Sequence, residues 1–185
     1  TNNNPLKIDL FNYEKNETSI KLEGLKSEKD EILIKNFSIN EKKNEIIFKN
    51  FILNNKYEIT KLGSIDLDYT DKENQKNQIK FYSEKDQHIL KGPSLNANKI
   101  IDDLISNKEN SNILNINRKI EINIDKIFLD NQHHLSNFTG NILLKNKKIN
   151  KANLIGNFSN DKKFKFSVSA SANKKITTLY IDKAE

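Results

Sequence analysis

The chain has 185 residues, of which 35% are hydrophobic and 30% are charged, and its formal net charge is +6. It contains no Cys, which excludes disulfides, thiolate zinc sites and cysteine nucleophiles. Both signs of charge are interspersed, which argues against a disordered polyelectrolyte. No apolar run approaches the ~20 residues that a membrane-spanning helix needs. Thr1–Pro5 reads as a cut point, so we expect a segment of a longer chain.

The positive charge comes almost entirely from Lys, because Arg118 is the only Arg. Arg forms bidentate hydrogen bonds with phosphate groups and with the edges of bases, so its scarcity disfavours nucleic-acid binding. The abundance of Lys, Asn and Ile is typical of AT-rich codon usage. A weak attraction to a membrane surface stays open as an alternative.

The first half alternates apolar and polar residues, which predicts β-strands with one apolar face. The breaks between the runs are charged or rich in Asn, as turns are. Because the connections are short, neighbouring strands should be antiparallel. The predicted strands are Leu6–Asn12, Thr18–Glu23, Glu31–Ile39, Glu45–Leu53, Tyr57–Tyr69, Gln78–Ser83 and Gln87–Lys91.

One helix is expected after Gly92-Pro93. Within Asn96–Asn107 the apolar residues Ile100, Ile101, Leu104 and Ile105 follow helical spacing. Asn96 or Asn98 can cap its start. The helix, Asn98–Ser106, should cover part of a sheet or cap one end; binding of a partner is the alternative.

The second half returns to the alternating pattern. Ile120, Ile122 and Ile124 share one parity and Ile127 the other, which predicts a bulge or bend. The domain prediction is a β-section over 1–92, a helix and linker over 93–117, and a β-section over 118–185 that continues the same groove. The predicted strands are Lys119–Leu129, Leu135–Lys145, Lys148–Phe158, Lys162–Ala170 and Lys175–Ile181.

The sequence offers little catalytic chemistry, and we expect no enzyme, no cofactor and no metal. It has no nucleophile elbow, P-loop or dinucleotide-binding fingerprint. His133-His134 would point to opposite faces of a strand, so we predict a surface loop there. Asp66 and Asp68 alternate with apolar residues and read as the polar face of a strand.

Four segments, in order, resemble the AsmA-like family of envelope proteins, in particular its large YhdP/TamB-type members. Ile122–Leu129 is similar to that family's strand of alternating hydrophobic and Asp residues, and Leu135–Ile142 to its "L-x-N-L-x-G-x-L" pattern. Asn153–Phe158 and the strand Phe164–Ala170 follow. Leu90–Ile101 resembles the strand-to-helix junction "G-x-x-L-D-A-x-x-L-L", with Asn96 in place of Asp.

The resemblance implies an extended, curved antiparallel sheet, an open β-groove with a hydrophobic interior. It implies non-enzymatic phospholipid transport between the inner and outer membranes of a Gram-negative envelope. The protein would be periplasmic and anchored in the inner membrane by a transmembrane segment outside this sequence.

The phospholipid's acyl chains would be the bound partner, and nucleic acid would not be one. Two alternatives stay open, a structural β-sandwich of the cell envelope and a basic nucleic-acid-binding β-domain. The predicted groove-lining residues are Ile120, Ile122, Ile124, Ile142, Leu144, Leu154, Phe158, Phe164, Phe166 and Val168.

Overall fold

The computed structural model describes residues 18–28, 31–98, 118–145, 148–158, 162–171 and 174–182. Nearly all of these lie in β-strands, and the strand pairs are mainly antiparallel, so the predicted mostly-β fold class is confirmed. The strands are β1 Thr18–Glu28, β2 Glu31–Glu41, β3 Asn44–Leu53, β4 Ile59–Lys61, β5 Ser64–Thr70, β6 Lys76–Glu84, β7 Gln87–Asn96, β8 Lys119–Phe128, β9 His134–Lys145, β10 Lys148–Asn157, β11 Lys163–Ser171 and β12 Lys174–Ile181.

The chain divides into two compact units, residues 1–78 and 79–185, and the division falls inside β6. In unit 1 the strand order is β1-β2-β3-β5-β6, with β4 also paired to β3. The pairs among β1, β2, β3, β4 and β5 are antiparallel. The predicted strand Leu6–Asn12 lies outside the described residues.

The prediction of one strand over Tyr57–Tyr69 is wrong. The preceding turn is longer than expected, because Asn54 Oδ1 accepts the backbone N–H of both Lys56 and Glu58 at 2.9 Å. Gly63 then passes so close to β3 that an added Cβ would lie 2.6 Å from the carbonyl oxygen of Lys49. The segment is therefore split into β4 and β5.

The core of unit 1 forms on one face of its sheet. Ile39, Ile46 and Tyr69 are buried there, and burial raises the pKa of the Tyr69 hydroxyl to about 12. Asp66 and Asp68 alternate with the inward-facing residues of β5, as the sequence indicated, and Lys49 Nζ lies 3.7 Å from Asp66. Partly buried Phe37, Phe48 and Leu67 pack against the core.

In unit 2 the strand order is β6-β7-β8-β9-β10-β11-β12. Pairs from β8 to β12 are antiparallel, but β7 and β8 are parallel, an exception to the expected antiparallel sheet. Parallel neighbours need a crossover connection rather than a hairpin. Here that connection includes 99–117, which lie outside the described residues.

Strand β7 continues beyond its predicted end at Lys91. It runs through Gly92 and Pro93 to Asn96, and Pro93, which has no N–H, is skipped in the register with β8. Asn98 is helical, and its N–H donates to Asn96 Oδ1 at 3.0 Å, a cap-like contact. The rest of the predicted helix Asn98–Ser106 lies outside the described residues.

The bulge or bend predicted within Lys119–Leu129 does not interrupt the pairing of β8, whose register with β9 is continuous; a bulge lies in the neighbouring strand β9 instead. Asn137 in β9 has φ 51, and the register of β9 with β10 shifts between Ile155 and Asn157. Beyond this point the paired residues Ile127 and Leu135 are buried, at 5% and 1% exposure. The bulge therefore keeps apolar residues on the buried face where the alternation changes parity.

We predict that Gly140→Ala destabilises the protein by about 3 kcal/mol. Gly140 has φ +147, and an added Cβ would lie 2.0 Å from the carbonyl oxygen of Asn153. Gly156→Ala is the matched control, because its Cβ would meet a side-chain atom of Phe138 at 3.2 Å. The control should cost less than about 1 kcal/mol. Free energies of unfolding in urea measure both, and equal losses would contradict the register described for β9 and β10.

Candidate functional site

The sheet of unit 2 carries three rows of side chains on one face, which we call the apolar face. Residues directly opposite each other on paired strands share a face, so the register defines the rows. From β7 to β12 they read His88, Ile120, Ile142, Ala152, Val168 and Thr177; Leu90, Ile122, Gly140, Leu154, Phe166 and Leu179; and Gly92, Ile124, Phe138, Gly156, Phe164 and Ile181.

The opposite face of the same strands is largely polar. One of its rows contains two apolar residues, and the other contains only one. This asymmetry means that burial of the apolar face, rather than of both faces, drives folding of unit 2. The two opposite rows read Ile89, Glu121, Asn141, Asn153, Ser167 and Thr178; and Lys91, Asn123, Thr139, Ile155, Lys165 and Tyr180.

Burial along the apolar face changes from strand to strand. In β8, Ile124 is 0% exposed, and in β11 Phe164 and Phe166 are partly buried. In β12, Leu179 is 58% exposed and Ile181 is 45% exposed. The face is thus covered by the chain over β8 and accessible over β12.

All ten predicted lining residues are brought together in unit 2. Eight lie in the three rows. Leu144 is buried and lies two residues beyond Ile142, on the same side of β9. Phe158 follows β10, and its ring centroid lies 6.4 Å from that of Phe164. Their contact with lipid remains a prediction.

The sequence reasoning missed several members of the face. Phe138 lies in the third row, and its ring centroid is 6.1 Å from that of Phe164. The position of Phe138 on this face depends on the bulge at Asn137. Because of the bulge, Phe138 and Leu135 are both buried although they are three residues apart, which the period-two pattern does not predict. Leu179 and Ile181 could have been found, because they alternate with polar neighbours in a strand that was predicted.

His88 is the one titratable side chain in the three rows. Its ring stacks on Phe81 with centroids 5.1 Å apart, and its Nδ1 lies 2.9 Å from Ser83 Oγ. Burial, and secondarily the positive charge of Arg118, lower the pKa of His88 below its ordinary value. The neutral ring therefore closes the β7 end of the first row without adding a charge.

The two adjacent histidines occupy different surroundings. His133 is exposed, and its Nδ1 lies 2.7 Å from Asp130 Oδ2. Hydrogen bonds from the Gln132 backbone and from His133 lower the pKa of Asp130 to about 2. His134 begins β9, near Phe128. Within the described ranges no group of three or more His, Asp or Glu could hold a metal ion.

A depression lies on the polar side of unit 2. It is lined mostly by charged residues of both signs and lies at the β6–β7 turn and the start of β8. Since it holds both signs of charge and one apolar side chain, it does not match an apolar ligand. Its lining is Glu84, Lys85, Asp86, Gln87, Ile89, Lys119 and Glu121.

Compared with protein-family models, curated proteins and solved structures, the chain matches none of them. No helix in the described part of the chain has the length and hydrophobicity needed to cross a membrane. The resemblance to AsmA-like proteins, and the compartment that it implies, therefore remain predictions.

We predict that His88 makes unit 2 less stable in acid. Its folded pKa lies below the ordinary value of about 6.5, so its contribution is complete above that pH and is lost as the pH falls through the folded pKa. His88→Gln keeps an acceptor for Ser83 but does not titrate.

The test compares urea midpoints of the native chain and His88→Gln at about pH 7.5 and about pH 5. The native chain should lose more stability than the variant over this interval. Equal losses of stability in the two proteins would show that protonation of His88 does not destabilise the fold.

Proposed function

We propose that the chain binds the acyl chains of phospholipids on the apolar face of unit 2 and takes part in non-enzymatic phospholipid transport. The observation that carries this proposal is the continuity of the three rows. They cross every strand from β8 to β12 with no charged side chain and reach exposed Leu179 and Ile181.

The energetics of an acyl chain suit such a surface. Each methylene that leaves water contributes about 0.8 kcal/mol. Four inter-strand spacings, about 19 Å, separate β8 from β12, and the part of each row that a ligand can reach lies toward β12, where side chains are exposed. A uniform apolar row holds no single carbon tightly, so a chain lying along it can slide. No bond is made or broken, and the proposal needs no catalytic group.

The accessible part of the face lies over β11 and β12. Phe166, half-buried in β11, faces exposed Leu179 in β12 across the second row. Lys175 shares this face, opposite Ala170, and is exposed at its margin. An ammonium group there would attract the phosphate of a headgroup that stays in water.

Placement in the envelope belongs to the same proposal. An AsmA-like protein would carry phospholipid through the periplasm between inner and outer membranes, and a transmembrane segment outside this sequence would anchor it. The alternating strands and the ordered family-like segments support this placement.

A structural module is the second candidate function. The observation that favours it is the complete burial of Ile124 and the 1% exposure of Leu135, because covered side chains cannot line an open groove. In this case the whole apolar face would be a protein core, and its exposed margin at β12 would hold no lipid.

We predict that Phe166→Asp lowers the affinity for a fluorescent fatty acid by at least about tenfold. A charge placed in the second row would have to be desolvated beneath the acyl chain, at a cost above ~1.4 kcal/mol. Ser167→Asp is the matched control, because it adds the same group at the next residue on the opposite face. Fluorescence titration measures both, and circular dichroism reports whether each variant is folded.

The native chain should bind the probe, and lipid should be found by mass spectrometry after purification. Absence of binding by the folded native chain would overturn the proposal and favour the structural module. Equal binding by folded Phe166→Asp and Ser167→Asp would also overturn it. If Phe166→Asp unfolds, Leu179→Asp repeats the test at an exposed position of the same row.

A further inference from the structure

Strand β12 forms one edge of the sheet in unit 2. Within the described ranges it pairs with β11 alone, and all eight of its residues are exposed. Ile176 is 60% exposed and Tyr180 is 50% exposed. Its segment Ile176–Ile181 carries no charge. An exposed, uncharged edge with high β-propensity is a template for another strand.

The backbone groups of β12 that point away from β11 can be assigned from one contact. The N–H of Asp182 donates to the carbonyl of Lys163, so it points toward β11. Backbone groups alternate in direction along a strand, and the register of β11 with β12 is unbroken. The N–H groups of Thr177, Leu179 and Ile181 therefore point away from the sheet.

Strand β1, which pairs with β2 alone within the described ranges of unit 1, is protected where β12 is not. Exposed Ile20 and Leu22 in β1 alternate with the charged residues Lys21 and Glu23. Gly24 follows with φ +68, which interrupts the extended backbone. Charges and local distortion are devices that prevent an edge from pairing. The segment Ile176–Ile181 contains neither a charged residue nor such a distortion.

We propose that β12 is a self-association edge, at which two copies of this chain pair antiparallel through their β12 strands. The charge distribution identifies a second copy as the partner. Lys174 and Lys175 lie at one end of the strand and Asp182 follows the other end, so antiparallel pairing places opposite charges together.

One register satisfies both the charges and the free backbone groups. It places Thr178 opposite Thr178 of the other copy at the two-fold axis, Ile176 opposite Tyr180, and Lys174 opposite Asp182. Thr–Thr, β-branched–aromatic and opposite-charge pairs are each favourable across strands. The outward N–H groups of Thr177 and Leu179 then form the hydrogen-bonded pairs.

Asp182 already accepts two intramolecular hydrogen bonds, from the Tyr180 hydroxyl and from the Lys163 N–H. A carboxylate has about four lone-pair directions, so Asp182 can also accept a hydrogen bond from the ammonium group of Lys174 in the other copy. The pairing would join the apolar faces of two copies edge to edge, because Leu179 lies opposite Thr177 on that face. It is independent of lipid binding.

The first experiment measures mass by light scattering during size-exclusion chromatography, from about 1 µM to about 100 µM. The native chain should shift from monomer to dimer with concentration. Thr177→Pro removes an outward N–H without removing a bond to β11, and should weaken association by at least about tenfold. Thr177→Ala keeps the N–H and should still dimerise.

The second experiment tests the register. The chain has no native Cys, so an introduced one can form only an intermolecular disulfide. In Thr178→Cys the two Cβ atoms would be about 4.5–5.5 Å apart, near disulfide range. In the control Ile176→Cys they would be about 13 Å apart, since four residues separate them along the strands. Only Thr178→Cys should cross-link under mild oxidation.

A chain that stays monomeric at the highest concentration overturns the proposal and leaves β12 to another occupant. A dimer that Thr177→Pro leaves intact, or equal cross-linking of Thr178→Cys and Ile176→Cys, also overturns it. Fatty-acid binding by the native chain at the lowest concentration, where it should be monomeric, provides a separate readout, because the apolar face does not need the pairing in order to bind the probe.

Discussion

The structure of unit 2 depends on cross-strand register that keeps one set of alternating side chains on one face. A slip of one residue in any strand would turn its apolar residues to the polar side. Two local features hold the register. Gly140 allows β9 and β10 to approach where a Cβ would meet the Asn153 backbone, and Asn137 absorbs the extra residue at the change of parity.

Under the proposed function, the apolar face serves two purposes that have different demands. Over β8, complete burial of Ile124 supplies hydrophobic free energy to the fold. Over β12, exposure of Leu179 and Ile181 leaves apolar surface in water, which is unfavourable for the isolated chain. A protein core alone explains the burial of Ile124 but does not explain the exposure of Leu179 and Ile181. A bound acyl chain would cover exposed side chains of the same rows while the buried rows keep the sheet in register.

The alternation of side chains predicted most strands, because period-two patterning reflects burial of one face. It placed Ile120, Ile122 and Ile124 correctly on a common side. The pattern failed where contacts between residues that are distant in sequence determine the structure. The break at Gly63 arises from its approach to β3, the parallel pairing of β7 with β8 depends on a distant crossover, and His88 joins an apolar row through its stacking on Phe81. None of these contacts is encoded in local periodicity.

Lipid binding and self-association use different atoms of β12. The first would cover the side chains of Leu179 and Ile181 on the apolar face, and the second would use main-chain groups at the edge of the strand. Side-chain burial gives little directionality, whereas main-chain pairing requires one register. If both occur, the edge joins two copies, and the accessible length of each row sets how much of an acyl chain is shielded. The apolar face would then extend across both copies of the dimer while its polar side stays in water.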